Sequence, residues 1–387
     1  MTGSMTAREK WDAVVVGAGI AGAVTARGLA KRGLTVLLVE RARLPRSKVC
    51  GGCLSSAGLA VLDDLGLSGL PSLATAPHVT RLQLRVSGAT VKLDLPAGRA
   101  VTRSRLDSEL AGAAVEAGAV LVEGTRAEIG AVFGTSREVT LFSGTGPRKV
   151  RASVVVNAAG LAGPGAVPGG ELRTSLARGS WIGAGTVLSA AETSLPRSMI
   201  SMSIGRGGYV GMVRVEEDEV LVAAALDPEP VRSAGGPAPV IAGLLEACGT
   251  ALPDGLLAGA SWTATPRLTR RTRPVAAERL FLAGDASGYV EPFTGEGMTW
   301  ALDTAAALIP IAARAAQRWD SGTAPEWAGL HHRLVGRRRR RCRRLTGLLH
   351  HPALTGMVVR LLARHPGIAS PLIHRTSAAT PLQEVLQ

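Results

Sequence analysis

Two cysteines three residues apart flank a pair of glycines in the stretch SKVCGGCLSS, residues 47–56. Three kinds of site use such a pattern: a redox-active dithiol, one half of a metal site, or a loop of small residues against which a flat ring can lie. A zinc site needs a second pair of ligands, and none of the seven histidines stands at a spacing that pairs with Cys50 and Cys53. We therefore expect no metal at this pair.

The cysteine pair follows a segment typical of dinucleotide binding, WDAVVVGAGIAGAVTARGLAKRGLTVLLVER at residues 11–41. The pattern predicts a buried strand, a glycine turn, a helix and a second parallel strand that ends at Glu40. In the turn, Gly17 permits the tight bend, Gly19 lets the backbone approach a pyrophosphate, and Gly22 lets the helix pack on the sheet. The helix N-terminus offers N–H groups to phosphates, and the Glu40 carboxylate can accept hydrogen bonds from ribose hydroxyls.

A second segment, far along the chain, favours FAD over NAD. RLFLAGDASGYVEPFTGEGMTWAL, residues 279–302, predicts a buried strand that ends at Asp285, a loop rich in glycine and proline, and the start of a helix. A carboxylate at a strand end can accept hydrogen bonds from ribityl hydroxyls. The loop would expose backbone N–H groups at a second helix N-terminus, which suits the pyrimidine side of a flavin. A nicotinamide needs no such second site, so the sequence predicts FAD.

Together these segments resemble the superfamily of FAD-dependent monooxygenases and geranylgeranyl reductases. VTRSRLDSEL, residues 101–110, looks like the family's Arg-x-x-(Phe/Leu)-Asp-x-x-Leu helix start, so Arg103 would contact FAD and Asp107 would hold the start of the helix. KVCGG matches a segment of the geranylgeranyl-reductase-type members. The resemblance implies an α/β fold: a Rossmann-like FAD-binding domain of the glutathione reductase type, an interleaved mixed-sheet substrate domain, and C-terminal helices. The expected FAD contacts are Gly17, Ala18, Gly19, Ile20, Ala21, Gly22, Glu40, Arg41, Cys50, Gly51, Gly52, Arg103, Ala159, Gly160, Gly284, Asp285, Pro292, Gly295, Glu296 and Gly297.

Departures from the family pattern bear on the reaction. SVVVNAAGLAGPGA places Ala159 where many members carry an Asp implicated in FAD and NAD(P)H contacts, so the reductant is either NAD(P)H or an electron-transfer partner. Isoprenoid reductases carry an aromatic-rich Pro-x-x-Tyr-x-Trp-x-Phe-Pro motif, of which RGGYVGMVR keeps Tyr209. The Trp-x-Trp-x-Ile-Pro signature of flavin halogenases is absent, since GSWIGAG contains only Trp181.

The resemblance narrows the interpretations of the cysteine pair. Flavin disulfide reductases place such a pair over the flavin, but they need a separate NAD(P)H domain, and no second strand–G-x-G-x-x-G–helix segment occurs here. We favour a loop of small residues in which Gly51 and Gly52 let the backbone lie against the flavin ring. Cys50 would then border the reaction space, as a packing residue or as a proton donor, and it is the one catalytic candidate.

The order of the segments predicts interleaved domains. The proposed division is an FAD-binding domain over 1–75, 100–165 and 270–330, a substrate domain over 76–99 and 166–269, and a C-terminal helical region over 331–387. Alternating apolar and polar residues in the inserted pieces predict antiparallel strands that close the pocket over the flavin. The predicted pocket residues are Tyr209, Trp181, Met202 and Met212.

The charge is concentrated near the C-terminus. The chain of 387 residues has a net charge of +14, and no acidic residue lies between Glu326 and Glu384, whereas GRRRRRCRR occupies 336–344. A nucleic-acid site would need aromatic residues between the arginines, and the run has none, so we expect no nucleic-acid binding. The alternatives are a solvated helix face or peripheral contact with anionic lipid at the inner membrane face. Four scattered cysteines predict reduced thiols in the cytoplasm, and no apolar run reaches the ~18 residues of a spanning helix.

These observations predict an FAD-dependent oxidoreductase that acts on a small lipophilic substrate. The favoured reaction is hydroxylation of a lipophilic, aromatic or polyketide-like compound of secondary metabolism by a monooxygenase. The alternatives are reduction of a C=C bond in a prenyl chain, as in geranylgeranyl reductases, and flavin binding without catalysis. The cofactor carries the chemistry in the first two cases, while the protein supplies orientation and a dry cavity.

Overall fold

The computed structural model describes residues 8–163, 170–250, 252–291, 293, 295–365 and 367. The strands are β1 (Lys10–Val16), β2 (Val36–Val39), β3 (Cys53–Leu54), β4 (His78–Val86), β5 (Ala89–Ala100), β6 (Val120–Val122), β7 (Arg126–Phe133), β8 (Ser136–Ser143), β9 (Gly146–Asn157), β10 (Arg173–Leu176), β11 (Ile182–Ser189), β12 (Met199–Gly205), β13 (Gly208–Arg214), β14 (Glu219–Leu226), β15 (Thr263–Arg267), β16 (Arg270–Arg273), β17 (Ala276–Ala277), β18 (Leu280–Leu282) and β19 (Gly288–Tyr289). The helices are α1 (Ile20–Ala30), α2 (Ser56–Asp64), α3 (Pro71–Thr75), α4 (Arg103–Glu116), α5 (Pro228–Ser233), α6 (Pro237–Ala247), α7 (Gly297–Gln317), α8 (Thr323–Leu349) and α9 (Pro352–Arg364).

The first sheet has a parallel core in the order β6–β2–β1–β9–β18. Its central strands are continuous apolar runs because both faces are buried. On one face α1, α4 and α7 pack against side chains such as Val15 and Val156. On the other face the antiparallel strands β7 and β8 cover Val14 and Leu37. The result is a layer of helices, a parallel sheet and a layer of antiparallel strands.

The second sheet is mixed and runs in the order β15–β11–β14–β13–β12–β4–β5–β3. All neighbours are antiparallel except β12 and β4. One face packs on α6, and the other packs on α9 and the end of α8. The edge strand β3 comes from the cysteine segment, so that segment joins the two sheets. A smaller sheet contains β10, β16 and β19.

The long helix α8 packs against α7 and the end of β18. The indole Nε1 of Trp327 donates to the carbonyl of Leu282 at 3.1 Å, and Arg338 forms a largely buried ion pair with Asp303 of α7. The helix α9 then packs on β4 and β5. None of the helices in the described ranges is long and apolar enough to cross a membrane.

The predicted fold class is confirmed: the chain has an α/β fold with a Rossmann-like FAD-binding sheet, a mixed sheet interleaved with it in sequence, and C-terminal helices. The division into domains stays a prediction. Its boundary at 330 and 331 falls inside α8, and residues 368–387 of the predicted helical region lie outside the described residues.

Candidate functional site

The glycine turn before α1 has the form that a phosphate site requires. A Cβ atom at Gly17, whose φ is +100°, would lie 2.6 Å from the carbonyl oxygen of Ala158, and one at Gly22 would lie 1.7 Å from the carbonyl oxygen of Gly17. A larger residue at either position would therefore push the turn away from the sheet. Gly19 precedes the helix and supplies no side-chain cap, so the first N–H groups of α1 are not capped from that position.

Two guanidinium groups lie beside this turn. A Cβ atom at Gly19 would have the Nη2 atoms of Arg103 and Arg46 at 3.4 and 3.6 Å. Asp107 holds both: its carboxylate accepts from Nε and Nη2 of Arg103 at 2.8 and 2.9 Å and lies 3.3 Å from Nη1 of Arg46. Burial disfavours the charged form of Arg103, but Asp107, together with Cys50 and Asp285, outweighs burial and raises the Arg103 pKa above its ordinary value. Cations at a helix N-terminus suit a diphosphate.

Glu40 directly follows β2 at the edge of the same site. Its carboxylate is buried and accepts from the backbone N–H groups of Ala18 at 2.9 Å and Ala42 at 3.1 Å. Arg46 lies 3.4 Å from it. These bonds fix the carboxylate between the glycine turn and the following loop, and the predicted contact of Glu40 with a ribose stays a prediction.

The second cofactor segment meets the first at Gly284. A Cβ atom at this residue, whose φ is +59°, would lie 2.9 Å from Cβ of Ala21 and 3.8 Å from Cβ of Ala301. The N–H of Gly284 donates to Oγ1 of Thr304 at 3.0 Å. Because Ala21 and Ala301 belong to the first turns of α1 and α7, two helix N-termini far apart in sequence converge here, and Asp285 follows at once.

Lys48 lies in this region and the sequence interpretation had not assigned it a role. Burial, and then the positive charge of Arg103, lower the pKa of its amine, although Asp285 opposes this. The amine Nζ would lie 3.1 Å from a Cβ atom at Gly160, whose φ is +70°. Lys48 therefore brings a third basic group to the cofactor side of the site.

The cysteine segment presents bare backbone to the site. A Cβ atom at Gly51 would meet no atom within 4 Å, whereas one at Gly52, whose φ is +66°, would lie 2.7 Å from the side chain of Leu221. The thiol of Cys53 donates to the carbonyl of Gly51 at 3.1 Å, and burial together with Cys50 raises the Cys53 pKa to about 12. A thiol held protonated is a poor redox nucleophile, which favours the loop interpretation. No cluster of three potential metal ligands occurs among the described residues.

A single cavity of about 790 Å³ connects these elements with the second sheet. The predicted residues that line it are Gly17, Gly19, Ile20, Ala21, Glu40, Arg41, Cys50, Gly51, Arg103, Ala159, Gly160, Met202, Tyr209, Met212, Gly284, Asp285, Gly295 and Gly297. The predicted residues that lie outside its lining are Ala18, Gly22, Gly52, Trp181 and Glu296. Pro292 lies outside the described residues. The part bounded by the two glycine segments is called the cofactor end below.

The far part of the cavity, the distal end, is apolar and aromatic. It lies between the second sheet and α9, and its lining includes Leu84, Leu93, Met202, Tyr209, Phe293, Val359 and Leu362. The rings of Tyr209 and Phe293 meet edge to face at 5.3 Å. Trp181 stands behind this wall, 6.1 Å from Tyr209, and stacks on His350 at 3.9 Å.

Three buried acidic side chains have raised pKa values: Tyr209 and Tyr289, which line the cavity, and Glu291. Burial, and then Glu291, raise the pKa of Tyr209 well above its ordinary value, and burial followed by Asp285 does the same for Tyr289. Burial alone raises the pKa of Glu291 to about 8. All three shifts favour the protonated form of the group.

The site fits a long dinucleotide with a flat ring at one end. The diphosphate would lie at the glycine turn between Arg46 and Arg103, and the ring would lie along Gly51 toward the distal end. Fold and site together define an FAD-dependent oxidoreductase, in which FAD supplies the redox chemistry when bound. The chain belongs to the FAD binding domain family, whose profile matches residues 10–317.

Three known proteins illustrate what the chain is similar to. It is 36% identical over 152 residues to menaquinone reductase of Mycobacterium tuberculosis, a match that covers 36% of this chain and 36% of that protein. The matched part thus spans about a third of the relative. A geranylgeranyl bacteriochlorophyll reductase-like protein from Thermoplasma acidophilum has a TM-score of 0.68 at 17% identity, covering 94% of this chain and 99% of that one. Halogenase PltM, solved with phloroglucinol and FAD, has a TM-score of 0.72 at 18% identity, covering 97% and 85%. The two structures show the fold alone.

Proposed function

We propose that this oxidoreductase reduces a carbon–carbon double bond of an isoprenoid lipid. The observation that carries the proposal is that one cavity joins the FAD-binding elements, with their basic side chains, to the apolar distal end. A substrate whose reacting carbons reach the cofactor end must leave the rest of its length among Leu84, Leu93, Val359 and Leu362. A flexible apolar chain fits that requirement because it buries its surface without unpaired polar groups.

The relatives support the same substrate class. The M. tuberculosis relative is a reductase of menaquinone, a lipid quinone, and the Thermoplasma protein is geranylgeranyl bacteriochlorophyll reductase-like. Both names join reduction to a molecule that carries an isoprenoid chain. Hydroxylation, which the sequence interpretation favoured, remains the alternative.

Reduction of a C=C bond adds one hydride to one carbon and one proton to the other. Bound FAD in its reduced form supplies the hydride. For the proton we propose Tyr289, because it lines the cavity and, besides burial, Asp285, Cys50, Cys342 and Arg103 shift its pKa, which places it near the cofactor end where the reacting carbons would lie. Tyr209 also lines the cavity, but its ring packs against Phe293 at the distal end, where the rest of the substrate would lie.

Product mass separates the two reactions. The holoenzyme is reduced without oxygen by light with EDTA as the electron donor and is then mixed with menaquinone or a geranylgeranyl compound. The product is exposed to air before mass spectrometry. A quinol formed by ring reduction reverts to the quinone in air, whereas a saturated side-chain bond keeps its two hydrogens. We expect that retained gain. A product that gains one oxygen atom, and forms only when oxygen is present, would replace this proposal with monooxygenation.

The two tyrosines provide a matched pair of variants. Tyr289→Phe should retain FAD and slow substrate reduction by about 10²-fold, within the usual range for loss of a general acid. Tyr209→Phe should retain most of the rate. Flavin that stays reduced in the presence of every isoprenoid substrate offered would instead support the non-catalytic alternative. The reductant, NAD(P)H or an electron-transfer partner, is tested by adding NADH or NADPH to the oxidised holoenzyme without oxygen and following the flavin absorbance.

A further inference from the structure

The helix α9 carries two apolar stripes on different faces. Thr355, Val359 and Leu362 line the cavity. A second stripe, here called the outer stripe, consists of Leu354, Met357, Val358 and Leu361, which are 49, 61, 38 and 51% exposed. Its spacing of three and four residues places the four side chains along one line of the helix. Val358 belongs to both faces, because it also borders the cavity.

The outer stripe is unusual for this molecule. Among the described residues eight large apolar side chains are exposed, and four of them lie on this helix of 13 residues. The other four, Val115, Phe133, Leu176 and Val187, lie on four separate elements. Scattered apolar residues are normal on a protein surface, whereas a contiguous row marks a contact surface.

The charges around the outer stripe indicate what it contacts. Arg360 and Arg364 lie three residues after Met357 and Leu361, which places them beside the stripe. The preceding helix adds the exposed residues Arg337, Arg340, Arg341, Arg343 and Arg344. No acidic residue lies between Glu326 and Glu384, so a second copy of the chain would bring the same positive charge. The segment 368–387 has one arginine and one glutamate and offers no net negative charge either.

An apolar row flanked by arginines is complementary to the surface of an anionic bilayer. We propose that α9 lies in that surface, with the outer stripe among the acyl chains and the arginines at the headgroups. Because the opposite face of α9 lines the distal end, an isoprenoid substrate would pass from the bilayer beside Val358 into the cavity. This second step rests on the proposed function, whereas the docking does not.

Vesicle binding tests the docking with the yellow holoenzyme. We expect co-sedimentation with vesicles of phosphatidylglycerol and phosphatidylcholine, weaker binding to phosphatidylcholine alone, and weakening by salt. The double variant Met357→Ser/Leu361→Ser should bind at least about tenfold more weakly, since two buried side chains return to water. Neither residue lines the cavity, so FAD content should not change. The control Phe133→Ser/Leu176→Ser removes the same kind of exposed side chain elsewhere and should bind like the wild type.

Four outcomes would overturn the docking. One is a holoenzyme that does not bind anionic vesicles at low salt. Another is undiminished binding by Met357→Ser/Leu361→Ser. The third is a dimer in sedimentation that this double variant converts to a monomer, which would assign the outer stripe to a second copy. A chain ending at residue 367 that binds vesicles when the full chain does not would assign it to the C-terminal segment.

Substrate access is measured separately. Menaquinone embedded in anionic vesicles should be reduced at least about tenfold more slowly by Met357→Ser/Leu361→Ser than by the wild type, in proportion to the lost binding. A quinone with a short prenyl chain, offered in solution, should be reduced equally by both. Equal slowing of both substrates would overturn access through α9. If neither protein reduces any isoprenoid substrate offered, the proposed function fails while the vesicle result still decides the docking.

Discussion

Glu291 is buried at a cost that should appear as a pH dependence of stability. Glu291 lies two residues after β19 and is 1% exposed. Its Oε1 atom has no hydrogen-bond partner among the described residues. Burial raises its pKa from 4.5 to about 8. Below pH 4.5 the carboxyl is protonated in the folded and the unfolded chain, and its contribution to stability is fully present. Between pH 4.5 and about 8 only the folded chain holds the proton, so the free energy of unfolding falls as the pH rises.

The expected size follows from the same two pKa values. Each pH unit between them changes the free energy of unfolding by about 1.4 kcal/mol, so the interval from 4.5 to about 8 corresponds to about 5 kcal/mol at most. Glu291→Gln keeps the shape of the side chain and cannot ionise. We therefore expect the variant and the wild type to have similar stability near pH 5, and the variant to become more stable by a few kcal/mol near pH 9.

Urea unfolding of the holoenzyme at a series of pH values measures this difference. Other titrating groups are common to both proteins, so the difference between the two curves isolates Glu291. Glu116→Gln removes an exposed carboxylate from α4 and serves as the control, whose curve should run parallel to the wild type. If the Glu291→Gln curve also runs parallel across this range, the carboxyl is ionised in the folded protein and the argument from burial is wrong.

Two further predictions concern the cofactor end and the C-terminal helices. Gly22→Ala should lower FAD affinity at least about tenfold, because the new Cβ would lie 1.7 Å from the carbonyl oxygen of Gly17. The control is Gly112→Ala, where a Cβ meets nothing within 4 Å. Unchanged flavin retention by Gly22→Ala would contradict the role of the turn. Arg338→Gln should destabilise the protein by about 3–5 kcal/mol in urea unfolding, because the buried carboxylate of Asp303 would lose its ion-pair partner. The double variant Arg338→Gln/Asp303→Asn should recover part of the lost stability. If the single variant loses no stability, the ion pair is not stabilising.

The cofactor end could be predicted because local sequence determines it. Strand, glycine turn and helix are consecutive in the chain, so the positions of Gly17, Gly19 and Gly22 follow from their spacing. Arg46 and Lys48 could not be assigned, because their approach to the turn depends on how the loop after β2 folds back over α1. A basic residue in a loop gives no periodic signal. The role of Asp107 in holding Arg46, as well as Arg103, is likewise visible only in three dimensions.

The distal end was harder to predict because its walls come from distant parts of the chain. Met202, Tyr209 and Met212 line the cavity, although Tyr209 and Met212 lie three residues apart on β13 and so point to opposite faces of the strand. Their contact with a substrate stays a prediction. Trp181 stands behind the wall of the distal end, where it stacks on His350. The contribution of α9 was not foreseen, since an amphipathic helix does not reveal which of two apolar stripes is buried.

The arginines of residues 337–344 lie on different faces of α8. At 3.6 residues per turn, successive arginines of α8 cannot share one face. Arg339 turns inward and donates to Oγ of Ser287 at 3.1 Å, next to His331, whose Nε2 lies 2.8 Å from the same oxygen. The thiol of Cys342 donates to the carbonyl of Glu291. One face of α8 thus supports the loop that carries Asp285, while Arg340 and Arg341 are exposed, so the arginines of the run do not form one surface.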